Sequence, residues 1–118
     1  MNDIVIIPLF EPVNVLKAEI KNYFNTPVND YVYVAFITKL LEDIFDGYNA
    51  NSVSELAPST HILLNLGIDL TSAIRLSSKI FNLVVSVIST YIEDVTFNTR
   101  TYSFQLYGEY DLKVSRIK

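Results

Sequence analysis

Residues 102–114, YSFQLYGEYDLKV, decide the fold class because their apolar and polar side chains alternate almost without interruption. This two-residue period is typical of a half-buried β-strand. A single strand of this length would be far longer than the usual ~5–6 residues, so the glycine at its middle predicts a hairpin. The apolar face comprises Tyr102, Phe104, Leu106, Tyr110, Leu112 and Val114, with Gly108 in the same register, and only Tyr107 departs from the alternation.

The loop length of this hairpin follows from its apolar face. A two-residue loop would place Phe104 opposite Lys113, which mixes apolar and charged partners. A three-residue loop at residues 107–109 instead places Phe104 opposite Leu112 and keeps the apolar side chains on one face. The sequence therefore predicts a hairpin with an odd loop. Because an isolated hairpin is marginal in water, its apolar face must lie on the helices or on a partner.

The chain before this hairpin has mainly helical periodicity. Residues 1–10 are apolar but interrupted by Pro8, which favours a short edge strand or an extended arm. The region that follows predicts a small bundle of helices. The predicted segments are a helix opened by Glu11-Pro12 and ended by Asn25, a helix from Pro27 to about Asp46 closed by Gly47, a short helix from Pro58 to Leu66 ended by Gly67, and a long helix capped by Asp69 or Thr71 that runs to about Asp94.

Together these segments predict an α+β fold that is mainly α: a small bundle of three to four helices with a C-terminal β-hairpin and a short extended N-terminal segment. We expect one domain over residues 1–118, with an arm or edge strand at 1–10, a helical body at 11–95 and a hairpin at 100–117. Residues 31–37 are rich in strand-forming side chains. A strand there is the alternative that would change the fold class.

Composition excludes several classes of protein. Half of the residues are hydrophobic and 19% are charged, which argues against disorder. The net charge of −4 disfavours a nucleic-acid groove binder. The absence of cysteine excludes disulfides and thiolate sites and fits a reducing compartment. The start of the chain lacks the basic region of a signal peptide, and the apolar run Ile80–Ile92 is too short and too polar to span a bilayer. We therefore expect a cytoplasmic protein with no membrane partner.

Signals for catalysis are weak. The single histidine, His61, lies beside Ile62 and Leu63 in the short third helix, where a structural role is the stronger interpretation. The chain has no motif for a serine or cysteine nucleophile. Its three glycines are not spaced to form a phosphate-binding loop. The sequence predicts no catalytic residue, no cofactor and no enzyme.

One group of carboxylates could in principle bind a divalent cation. Glu42 and Asp46 are four residues apart on the predicted second helix, with Asp43 beside them and Asn49 and Asn51 nearby. The stronger interpretation is a solvated acidic helix end, because the spacing does not match an EF-hand loop. We therefore predict no metal site.

Basic residues gather at the C-terminus, where Lys113, Arg116 and Lys118 could reach phosphates. Glu109 and Asp111 share the same hairpin. A charged solvent face on an exposed strand, which discourages edge-to-edge aggregation, is the simpler interpretation.

Tyrosine is abundant, with eight residues in the chain and no tryptophan. So many hydroxyl groups are difficult to satisfy in so small a core, and tyrosine is enriched at protein interfaces. The sequence therefore predicts a protein interface on the hairpin, made by Tyr102, Phe104, Leu106, Tyr107, Tyr110, Leu112 and Val114.

Two functional hypotheses follow. The first is a non-enzymatic assembly or adaptor protein that acts in a homo-oligomer or larger assembly, with the hairpin adding to a neighbour's sheet. A cysteine-free composition rich in isoleucine, asparagine and tyrosine is common in AT-rich genomes, so this hypothesis includes a small viral (phage) virion or connector component in the virion or host cytoplasm. The alternative is an acidic inhibitor or regulator that binds a basic surface on another protein.

Overall fold

The computed structural model describes residues 4–47, 58–92 and 101–117. Four helices and three strands lie within these ranges. They confirm the predicted mainly α, α+β fold with a C-terminal hairpin. In chain order the elements are β1 (Ile4–Pro8), α1 (Phe10–Lys21), α2 (Asp30–Phe45), α3 (Pro58–Asn65), α4 (Leu70–Tyr91), β2 (Tyr102–Tyr107) and β3 (Asp111–Arg116).

The predicted hairpin is present, with its three-residue loop displaced by one position. The loop is Gly108–Tyr110, and Phe104 lies opposite Val114 instead of Leu112. This displacement moves each partner by two residues, so the apolar side chains remain on one face. The loop ends at Tyr110, whose φ of 64° is the left-handed conformation often found at the third position of such loops. The predicted loop was wrong because this conformation is uncommon for a tyrosine.

The N-terminal segment is an edge strand, as its composition predicts. β1 pairs antiparallel with β3, and the strand order of the sheet is β1-β3-β2. The second strand of the hairpin is therefore the central strand. The Leu9 N–H continues this pairing by donating to the Tyr110 carbonyl oxygen at 2.8 Å, which connects the start of α1 to the hairpin loop.

Two of the helices begin at side chains that accept a hydrogen bond from the first turn. The Asn29 side chain accepts from the Tyr31 N–H at 2.9 Å, and the Asp69 carboxylate accepts from the Ser72 N–H at 3.1 Å. The predicted cap at Asp69 is thus correct, whereas the predicted start of α2 at Pro27 is wrong by three residues. α2 starts at Asp30 because the Asn29 side chain supplies the capping oxygen for its first turn.

Other element boundaries agree only in part with the local sequence signals. Residues 31–37 lie within α2, so their strand-forming side chains do not prevent a helix. Pro12 is the third residue of α1, two positions later in the helix than predicted. Proline is tolerated there because the N–H groups of the first helical turn have no partner within the helix. α3 ends before Gly67, whose φ of 102° is readily adopted only by glycine. α4 ends at Tyr91, about three residues before the predicted end at Asp94, because Ile92 adopts an extended conformation. The predicted loop after Gly47 lies outside the described residues.

The core includes side chains from all seven elements. α4 contacts α1, α2, α3 and β1, as expected for a central helix. The Thr60 hydroxyl lies 3.3 Å from the Ser77 hydroxyl and donates to it, which satisfies a buried polar contact between α3 and α4. The largest fully buried side chains are Phe36, Phe45, Phe81, Ile7, Leu9, Leu16, Ile20, Ile37, Leu40, Leu41, Leu63 and Ile80.

α4 is the one helix among the described residues that is long and apolar enough, by length and composition, to cross a membrane. The apolar run Ile80–Ile92 is only part of this feature, because the helix has 22 residues and contains an 18-residue window with a mean hydropathy of 1.2. In this fold its apolar side packs against the other helices and β1. Such a helix is weak evidence for a membrane span, because the core helix of a globular protein meets the same criteria.

Candidate interaction surface

The hairpin packs its apolar face on the helices of its own chain. Of the seven residues predicted to form an interface, Tyr102, Leu112 and Val114 are buried in the core. Phe104, Leu106 and Tyr110 are half-buried and pack against it. Tyr107 points to the other side of the sheet and is 41% exposed. A contact through the buried three would require the hairpin to leave the helices, so Tyr107 is the predicted residue most accessible to a partner.

A stacked pair of aromatic rings shows why the hairpin lies on the helices. The rings of Phe104 in β2 and Phe45 at the end of α2 are 4.7 Å apart between centroids, with 20° between their planes. Stacked aromatic pairs of this kind contribute beyond the area they bury. This contact attaches the middle of the hairpin to α2.

The charged side chains of the second hairpin strand lie on the central strand of the sheet and not on an edge strand. Asp111, Lys113 and Arg116 belong to β3, which is the central strand. The edge strands, IVIIP in β1 and YSFQLY in β2, carry no charged side chain. The prediction that these charges protect an exposed strand was therefore wrong, because the N-terminal strand pairs with β3 and makes it central.

The hydrogen-bond pattern identifies which backbone groups face the outer edge of β2. The Ile117 N–H donates to the Thr101 carbonyl oxygen at 2.9 Å, which makes these residues a hydrogen-bonded pair continuous with the β2–β3 register. Since such pairs alternate along an antiparallel ladder, Ser103, Gln105 and Tyr107 bond to β3. The N–H and C=O groups of the two residues between them, Phe104 and Leu106, consequently point to the outer edge.

A lysine between two tyrosine rings joins the hairpin loop to the helices. The Lys17 ammonium of α1 lies 5.2 Å from the ring centroid of Tyr33 in α2 and 5.5 Å from that of Tyr110 in the loop. Both distances are within the range of a cation–π contact. One side chain thus links α1, α2 and the hairpin.

The electrostatic surroundings of this cluster disfavour ionisation of its phenols. Burial raises the pKa of Tyr33 above its usual value, and the nearby negative charge of Asp30 adds to the increase. Burial likewise raises the pKa of Tyr110, with smaller contributions from Asp30 and Tyr33. The two tyrosines therefore act as neutral aromatic surfaces for Lys17 and not as acids near neutral pH.

An open cleft of about 430 Å³ lies beside this cluster. Phe10 of α1 and Val34 of α2 form apolar walls, and Gly108 and Tyr110 form the side made by the loop. Phe10 is 57% exposed. Tyr31, one helical turn before Val34, is 81% exposed. We call Phe10, Tyr31 and Val34 the tip patch.

The C-terminal end of α2 carries three carboxylates, Glu42, Asp43 and Asp46, and one of them is buried. Asp43 is 7% exposed, and its Oδ2 atom has no hydrogen-bond partner among the residues that the structure describes. Burial raises the pKa of Asp43 to about 6, and the charges of Asp46 and Glu42 add to the increase while Lys39 opposes it. These acids also lie at the negative end of the helix dipole. Asn49 and Asn51, the other residues of the cation interpretation, lie outside the described ranges.

Groups that could perform catalysis are not brought together in the part of the chain that the structure describes. His61 is exposed on α3. No three histidine or carboxylate side chains in residues 4–47, 58–92 and 101–117 are arranged to hold a metal ion.

The tip patch and the Lys17 cluster were not found from the sequence. Their residues come from two helices and a loop that meet only in the folded chain. The sequence feature that could have indicated the tip patch is an aromatic residue on the solvent-facing side of a first helical turn, as at Phe10 and Tyr31. No model of a protein family matches this chain, and neither does any curated protein or solved structure.

Proposed function

We propose that this chain is a non-enzymatic assembly or adaptor protein that acts through protein–protein contacts, as a homo-oligomer or within a larger assembly. The observation that carries the proposal is the tip patch. Phe10 exposes more than half of its surface on the wall of a concave cleft, and Tyr31 is 81% exposed one helical turn before Val34, another residue that lines the cleft. Exposed aromatic side chains next to a cleft are characteristic of the centres of protein interfaces.

The surroundings of the patch support this role. The Lys17 contacts and the Leu9–Tyr110 hydrogen bond hold the loop side of the cleft in place. A surface held in this way loses little conformational entropy when it binds. The location that fits this role is the cytoplasm, and a virion or connector of a phage is the narrower form of the proposal.

The experiment is the absolute mass in solution, measured by light scattering on a sizing column across a concentration series. We expect a discrete multimer whose population grows with concentration. Replacement of Phe10 and Tyr31 by serine should reduce that population, since it removes the apolar surface without touching the core. Serine in place of Tyr91, another exposed tyrosine, is the matched control. A monomer at every concentration would contradict the homo-oligomeric assembly.

The acidic end of α2 favours a second candidate function, an inhibitor or regulator that binds a basic surface. Glu42, which pairs with Lys39 at 3.3 Å, and the exposed Asp46 lie one helical turn apart, and no basic residue lies in the last turn of the helix. Binding of this kind would weaken steeply as salt is raised from about 0.05 to 0.5 M, because screening shortens the reach of surface charges. Binding that is insensitive to salt would exclude it.

A further inference from the structure

We propose that β2 is a self-pairing edge: two copies of this chain join β2 to β2 in antiparallel orientation, with Gln105 of one copy facing Gln105 of the second copy. The two three-stranded sheets would then form one continuous sheet. This inference rests on the assembly role proposed above and adds a second contact surface, separate from the tip patch, through which two copies of the chain associate.

The first argument is the lack of protection on β2. Natural edge strands are usually guarded by charged side chains, prolines or bulges. β2 has none of these, and its outward side chains Ser103 and Gln105 are small or neutral. β1 is a poorer edge because Pro8 has no N–H to donate. A second copy can therefore approach β2 without facing a charge.

The second argument is the position of the open backbone groups. Phe104 and Leu106 direct their N–H and C=O groups to the outer edge. When Phe104 of one copy lies opposite Leu106 of the second copy, every open N–H of these residues meets an open C=O. A two-fold axis between the two Gln105 residues produces this register. The contact is isologous, so it closes as a dimer.

The third argument is the match between side chains in that register. On the inner face, Phe104 lies next to Leu106 of the second copy, which pairs apolar with apolar. On the outer face, the two Gln105 amides can donate to and accept from each other. Ser103 lies opposite Tyr107 of the second copy. No like charges face each other anywhere along β2.

The test uses the absence of cysteine from the chain. Opposed residues of a non-hydrogen-bonded antiparallel pair have Cα atoms about 4.5 Å apart, within the range that a disulfide spans. Gln105→Cys should therefore form a disulfide-linked dimer rapidly under mild oxidation, as seen by electrophoresis without reductant. Ser103→Cys is the matched control, because Ser103 is also exposed but lies far from Ser103 of the second copy in this register.

The register is tested by mixing variants. Ser103→Cys mixed with Tyr107→Cys should give a linked heterodimer. Linkage of Ser103→Cys to Gln105→Cys would instead indicate a pairing displaced by two residues and would overturn the proposed register. If Gln105→Cys links no faster than Ser103→Cys while the native chain forms a multimer, the edge proposal fails and the assembly role stands. If the native chain is a monomer throughout, both fail.

A second variant tests the edge without cysteine. Gln105→Glu places two carboxylates opposite each other across the axis, and within one copy it places a carboxylate beside its cross-strand neighbour Lys113. The monomer fold should therefore be retained, as circular dichroism will show. We expect self-association to weaken by at least about tenfold, because like charges face each other at the centre of the contact. Ser103→Glu should have a smaller effect. Unchanged association of Gln105→Glu would overturn the proposal.

Discussion

The two ends of α2 both hold the hairpin, but they do so with opposite chemistry. At the N-terminal end, Lys17 contacts the rings of Tyr33 and Tyr110. At the C-terminal end, Phe45 stacks on Phe104 beside the buried carboxylate of Asp43. At the N-terminal end of α2, Lys17 contacts aromatic rings and Asp30 is exposed to solvent. The C-terminal end combines a stacked aromatic contact with a buried carboxylate that lacks a hydrogen-bond partner in the described part of the chain.

The carboxylates of α2 make the difference plain. Asp30 lies in the first turn, where the helix dipole stabilises a negative charge, and it is exposed. Asp43 lies in the last turn, where the dipole opposes a negative charge, and its Oδ2 has no hydrogen-bond partner within residues 4–47, 58–92 and 101–117. The comparison teaches that the two ends of one helix treat a negative charge in opposite ways, since the N-terminal end stabilises Asp30 and the C-terminal end buries Asp43 at a cost. The predictions below test this, from the largest expected effect to the smallest.

Phe45→Ala should cause the largest loss. It removes a fully buried ring and its stacking on Phe104, and such changes cost about 3–5 kcal/mol of unfolding free energy. Urea denaturation followed by circular dichroism will measure it. Phe10→Ala, the same change at an exposed ring, should shift stability by no more than about 0.5 kcal/mol. Similar losses for the two variants would contradict the attachment of the hairpin at Phe45.

Asp43→Asn should stabilise the protein near neutral pH. The pKa of Asp43 is raised from 3.8 to about 6 in the fold, so the folded state binds the proton more tightly than the unfolded state. The unfolding free energy should therefore fall as pH rises from about 4 to 6, and the penalty then persists above pH 6. Each pKa unit corresponds to about 1.4 kcal/mol, so this shift of about two units sets an upper limit of about 3 kcal/mol on the gain at pH 8.

The readout for Asp43→Asn is urea denaturation at pH 4 and at pH 8. The gain should be present at pH 8 and nearly absent at pH 4, because the native carboxyl is then protonated in the fold. Asp46→Asn, an exposed neighbour, is the control and should gain less. An equal gain at both pH values would show that the charge of Asp43 is not the cause.

Lys17→Met should lower stability by about 1 kcal/mol, since it removes cation–π contacts with two rings while keeping the apolar length of the side chain. Thermal unfolding will measure this loss. Lys21→Met, at an exposed position one turn further along α1, should have little effect. The absence of any difference between the two lysines would mean that the cluster does not hold the loop.

Asp30→Asn should have the smallest effect, a loss of about 0.5 kcal/mol, because it removes a favourable charge at the positive end of the α2 dipole. The sign is the important result, since the same substitution at Asp43 should stabilise. Denaturation of both variants at pH 8 and low salt measures the pair. A gain at both positions would remove the distinction between the two ends of the helix.

Local signals in the sequence predict much of this fold. The two-residue period of residues 102–114 identifies the hairpin, Asp69 identifies the start of α4, and Pro8 marks an edge strand. These features depend on neighbours along the chain. The loop position was displaced because it depends on Tyr110 in a left-handed conformation, which is held by contacts with α1 and Leu9.

The interaction surface was less predictable. The alternation of residues 102–114 shows which face is apolar but not what covers it, and the structure packs that face into the core, with Phe104 stacked on Phe45 of α2. The pairing of β1 with β3, on which the uncharged outer edge of β2 depends, links opposite ends of the chain. No pattern within a short window of sequence carries that information.

Amide hydrogen exchange of β2 as a function of protein concentration tests the central claim most directly, namely that a hairpin folded on its own helices leaves one edge open for a second copy. At low concentration, the Gln105 amide should be protected by β3, while the Phe104 and Leu106 amides exchange rapidly. The Phe104 and Leu106 amides should become protected as the protein concentration, and with it the mean molecular mass, rises. Rapid exchange at Gln105, or rapid exchange at Phe104 and Leu106 in the multimer, would contradict the account.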